Sequence, residues 1–154
     1  MKSSYSAIGD RLILTLWIGG MWFAGFVVAP ILFDTLDRST AGTVAGQVFT
    51  VTSYLGIACA IALMLGQFMR TGLAVYRSAR FWILVCMLLL ILIGQFLIQP
   101  MMVDLKAQGL VEGSEIASRF GRLHGISSFL YLVTSLLGLV LVSFGGRTDT
   151  ETRI

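Results

Sequence analysis

The stretch Leu12–Phe33, LILTLWIGGMWFAGFVVAPILF, decides the fold: it holds 22 residues without a charge, closed by Arg11 on one side and Asp34 on the other. At about 1.5 Å of rise per residue a helix of this length reaches roughly 33 Å, enough to cross a hydrocarbon layer of about 30 Å. Three more apolar runs follow, which predicts an all-α polytopic membrane protein, a four-transmembrane-helix bundle. The expected spans are residues 12–33, 45–69, 81–102 and 121–144, in one domain covering 1–154. Mean hydropathy is +0.88. Charged residues make up 12% of the 154, about half of the soluble norm near 25%, so a soluble core has no room for this much apolar surface. The first run is longer than the hydrophobic region of a cleaved signal peptide and no small-x-small site follows it, so it is expected to stay as a span. Basic residues are not interleaved with aromatics, which argues against a nucleic-acid partner.

Between the spans, DTLDRSTA (34–41) is a tight turn in which Ser39 or Thr40 is expected to cap the second helix. RTGLAVYRSAR (70–80) links the second and third spans. Residues 103–118 form the longest connection, broken by Gly109 and Gly113. Gly145 and Gly146 are expected to end the last helix before a solvated tail. Gly42 and Gly46 are four apart, a spacing that lets another helix approach closely in lipid, here most simply within the chain.

Loop charges orient the bundle. Lys2, Arg11, Arg70, Arg77, Arg80, Arg147 and Arg153 fall on one side, against Arg38, Lys106, Arg119 and Arg122 on the other. Both termini are therefore expected in the cytoplasm of a multi-pass protein of the cell membrane, the inner membrane in a Gram-negative bacterium. Cys59 and Cys86 differ in expected depth by about 12 Å. A disulfide needs Cα atoms within about 7 Å, so two separate buried thiols are expected.

Shifted by 70 residues, the first span falls on the third: Phe26 meets Phe96, Pro30 meets Pro100 and Asp34 meets Asp104. Either a two-helix duplication or the ordinary tendency of helices to end near Pro and Asp accounts for this. Each proline removes a hydrogen bond to the carbonyl four residues back and is expected to kink its helix and splay the outer third of the bundle.

Polar side chains gather at that outer end. Gln95 and Gln99 share a face of the third helix, Asp34 and Asp104 close two spans, and Arg119, Arg122 and His124 open the fourth. One reading is a water-accessible vestibule that binds or passes a small solute or ion, since ionisable groups in spans are expensive. The plainer reading is that Arg119, Arg122, Asp34 and Asp104 are interface residues that snorkel and pair across loops. Haem or copper is the alternative: one histidine excludes bis-His ligation within a chain, but His124 with Met101 or Met102 offers a His–Met pair or a thioether-rich Cu(I) site. Methionine is equally an ordinary core filler. Ser127 and Ser128 follow His124 without a carboxylate to orient the imidazole, so no enzyme is expected. Trp22 falls near mid-membrane, where its indole N–H needs an acceptor. Four helices make a thin wall, so a full transport path implies a homodimer.

The stretch LWIGGMWFAGFVVAPILFDTLDRSTAGTVAGQVF resembles the opening of the DUF4149 family, bacterial relatives of the TMEM205-like proteins, and RFGRLHGISSFLYL is similar to that family's fourth segment. The resemblance covers roughly residues 10–144 and implies a four-span membrane protein without an assigned reaction. It marks Trp22, Pro30, Gly42, Gly46, Arg119 and His124 as positions of interest. The family is also distantly similar to CopD-type membrane proteins and haem-associated relatives, whose extra histidines this chain lacks.

Overall fold

The computed structural model describes residues 2–111 and 113–144, with side chains from 7 to 143 apart from 112. The expected Gly145–Gly146 stop, the tail and Glu112 lie outside the described residues. Every regular element among them is a helix, and four helices are long and apolar enough to cross a membrane: Ala7–Thr35, Arg38–Arg77, Ala79–Ala107 and Glu115–Ser143. All four run past the apolar cores expected from sequence, because polar residues at their ends continue the helix into the interface.

Each connection has a local cause. The second helix starts at Arg38, so the capping residue is Asp37, not Ser39 or Thr40. Its carboxylate accepts the Thr40 N–H at 2.9 Å, which satisfies a free donor of the first turn. That hydrogen bond also lowers the Asp37 pKa below the ordinary carboxylate value. Gly72, at φ +56°, ends the regular helix, and the expected 70–80 loop is largely a 3₁₀ turn over Gly72–Arg77. Gly109 and Gly113 have positive φ and break the chain as expected. The fourth helix then begins at Glu115, earlier than expected, with Ser114 Oγ accepting the Ala117 N–H.

The prolines act through the backbone ladder. A π turn over Ala24–Val28 precedes Pro30 and another over Ile93–Ile98 precedes Pro100. In both, the residue before the proline donates five residues back, Ala29 to the Ala24 carbonyl and Gln99 to the Gly94 carbonyl. The expected kink thus takes the form of an extra residue in one turn, which widens the helix where proline has no N–H to offer. The two devices fall at matching positions of the 70-residue echo.

Packing follows chain order in a closed square: first on second, second on third, third on fourth, fourth on first. Trp17, Leu63, Leu84 and Met87 are fully buried along the axis, with Thr134, Ser135 and Leu141 from the fourth helix. Two glycines admit the close crossings. A Cβ on Gly56 would lie 2.7 Å from Trp17 Nε1, and one on Gly138 would overlap the Ile18 side chain. Cys59 is buried, whereas Cys86 is exposed, a correction to the expected pair of buried thiols. Cys86 precedes the fully buried Met87, and about 100° of helix rotation turns it outward.

The outward faces are apolar. Leu12, Leu16, Phe23, Leu65, Trp82 and Phe129 are all more than half exposed. A water-soluble helix carries polar residues on that face. Apolar on both faces and long enough to cross, these helices make the chain a multi-pass membrane protein in a lipid bilayer.

Candidate functional site

The site begins with the glycines of the second helix. Gly42 and Gly46 stand one turn apart, and bare backbone there leaves room for two long side chains from the end of the third helix to reach across. A Cβ on Gly46 would sit 3.6 Å from Gln99 Nε2, and one on Gly42 would sit 3.8 Å from Lys106 Nζ. The Lys106 ammonium donates to the Gly42 carbonyl at 3.2 Å. It also lies 5.6 Å from the centre of the Phe120 ring, on the fourth helix, within cation–π range. Lys106 belongs to the last turn of the third helix, where the dipole favours a cation. Phe120 in turn stacks on His124, centroids 6.2 Å apart and planes 10° apart. Three helices thus bring an ammonium, an amide, an aromatic face and an imidazole to the end of the bundle opposite the amino terminus.

The remaining expected residues are placed around this group. Gln95 is half-buried inside the second π turn. Asp34, Asp104 and Arg122 are exposed, and among the described residues none of them forms an ion pair. Arg119 pairs with Glu115 one turn earlier at 2.7 Å, both well exposed, an arrangement worth little in water. Trp22 packs on Phe26 with centroids 4.9 Å apart, and its Nε1 is buried without a hydrogen-bond partner. The ring lines an apolar groove of about 230 Å³ between the first and fourth helices, with Thr15, Gly19 and Leu139. Of the expected metal or haem ligands, Met102 is buried, Met101 and His124 are exposed, and the stack on Phe120 leaves both ring nitrogens of His124 open. Among the described residues no three His, Cys, Asp or Glu side chains cluster to hold an ion.

Lys106 and Phe120 were not among the residues singled out by sequence. Phe120 lies four before the only histidine, on the same helix face, a spacing that was there to be read.

A sequence model of the domain of unknown function DUF4149 matches residues 12–110. The chain belongs to the DUF4149 family. The match takes in Trp22, Pro30, Gly42, Gly46, Gln95, Gln99, Pro100 and Lys106, and it stops before the fourth helix, so Arg119 and His124 lie beyond it. This DUF4149 protein is also 34% identical over 128 residues to an uncharacterized protein of Aquifex aeolicus (strain VF5), covering 82% of this chain and 86% of that one. No solved structure matches it.

Proposed function

We propose that this DUF4149 protein is a non-enzymatic membrane protein that binds a small anionic or carbonyl-bearing solute at the end of the bundle carrying Gln99, Lys106, Phe120 and His124. The observation that carries the reading is Lys106. Its ammonium is held by a main-chain carbonyl and an aromatic face, with the Gln99 amide reaching the glycine one turn further along the second helix, so a cation is already in place for an incoming acceptor. Binding is favoured over passage because Trp17, Leu63, Leu84 and Met87 fill the axis of the bundle. In this reading Asp34, Asp104, Arg119 and Arg122 are interface charges around the mouth.

The same proposal sets both termini in the cytoplasm of the cell membrane, since Arg11, Arg70, Arg77 and Arg80 lie at the amino-terminal end of the bundle. It includes a homodimer: Gly121 and Gly125 stand one turn apart on the fourth helix with open space above both, the spacing at which a second helix approaches closely.

Thermal unfolding of the detergent-purified protein against a panel of small carboxylates and phosphates tests the reading. Stabilisation by at least one member that disappears in Lys106→Gln is expected. No response to any member, or an equal response in Lys106→Gln, overturns it.

A further inference from the structure

At the amino-terminal end of the bundle a second polar cluster ties three helices. Asp10 of the first helix accepts from Arg70 of the second at 2.7 Å and from Arg80 of the third at 3.1 Å. One carboxylate therefore serves two guanidiniums, each still about a third exposed, and among the described residues these three side chains sum to a positive charge. Exposed Arg77 and Arg11 add to it, and neither forms an ion pair among the described residues. Just inside, Gln67 donates to Ser78 Oγ at 2.9 Å while its own Oε1 is buried and unpartnered.

The surroundings of this charge are apolar and face outward. Leu73, Tyr76 and Trp82 are all more than half exposed. Phe81 bridges Tyr76 and Trp82 edge-to-face, and Trp82 Nε1 donates to the Tyr76 carbonyl at 2.9 Å, which fixes the aromatic group at the helix ends. Aromatics of this kind sit at headgroup level. Arginines at that depth, next to apolar surface that continues along the helices, complement a phosphodiester attached to acyl chains.

We propose that this end of the bundle is a binding site for an anionic phospholipid, its phosphate held by Arg70, Arg77 and Arg80 and its glycerol region packed beside Tyr76 and Trp82. A free phosphate has the same charge but gains nothing from the Leu73, Tyr76 and Trp82 surface, so the lipid is the occupant the patch fits. The site stands at the opposite end from Lys106 and is independent of the solute reading.

Native mass spectrometry of the full chain, given equal amounts of phosphatidylglycerol and phosphatidylcholine with matched acyl chains, reads the proposal directly. Phosphatidylglycerol is expected to be retained several-fold over phosphatidylcholine. Arg77→Gln, at an exposed position with no ion pair among the described residues, is expected to lower that retention about fivefold. Arg38→Gln, which removes the same charge at the other end, is expected to leave it unchanged. Equal retention of the two lipids, no effect of Arg77→Gln, or an equal loss in Arg38→Gln overturns the proposal. So does complete displacement of the lipid by millimolar inorganic phosphate, which would make the site a simple anion site.

Discussion

The hydroxyl of Tyr131, on the fourth helix, donates to the main-chain oxygen of Met21, just before the first π turn. The Tyr131 ring fills the space beside Gly25, where a Cβ would come within 3.0 Å of it. The first and fourth helices are thus locked where the backbone ladder changes pitch. Tyr131→Phe keeps the ring and removes only the donor. It is expected to lower stability by about 1 kcal/mol, the scale of interhelical hydrogen bonds in lipid, read as a lower midpoint in detergent unfolding. An unchanged midpoint would mean the bond is not formed.

Gly56 sets the crossing of the first and second helices through its contact with Trp17. Gly56→Ala must displace an indole that has no exposed surface, and overpacking of this kind costs about 1–3 kcal/mol. The Trp fluorescence spectrum should shift with it. Gly19 has open space over it, so Gly19→Ala should fall within about 0.5 kcal/mol of the parent protein. Equal effects of the two would refute the packing argument.

Much of the architecture was legible because lipid leaves so few options. Charge-free runs of span length and the helix-breaking pair Gly109 and Gly113 are local signals, and each appears where the sequence puts it. Gly42 and Gly46 face the side-chain ends of Lys106 and Gln99, which their spacing alone does not reveal. The Asp10–Arg70–Arg80 cluster was not legible, because its partners are separated by 60 and 70 residues and only folding brings them together. The π turns were hidden for a different reason: proline announces a missing hydrogen bond, but not whether the helix bends or takes in an extra residue. Lys106 read as a loop charge until the third helix extended far enough to include it.

Asp10→Asn leaves Arg70 and Arg80 facing each other without their shared carboxylate. The expected loss is about 1–2 kcal/mol, between the values for exposed pairs and for buried partners. It should shrink as salt is raised from 10 mM to 1 M, because the guanidiniums are partly solvated. A salt-independent loss would assign the effect to packing instead.

Asp37 carries a pH dependence with a defined sign. Its folded pKa lies below the unfolded value, so its capping contribution is complete above about pH 4 and is lost as pH falls through the folded pKa. Asp37→Ala should be less stable than the parent protein at pH 7, with the difference narrowing toward pH 2. A difference that stays constant over that range would place the origin outside the carboxylate.

Accessibility labelling in intact cells tests the four-crossing bundle most directly. In a Cys59→Ala, Cys86→Ala background, single substitutions Arg11→Cys, Arg38→Cys, Arg77→Cys and Gln108→Cys are exposed to a membrane-impermeant maleimide. Arg38→Cys and Gln108→Cys are predicted to react from outside, and Arg11→Cys and Arg77→Cys only after the membrane is opened. Reaction of positions 11 and 108 from the same side would contradict the bundle and both sites built on it.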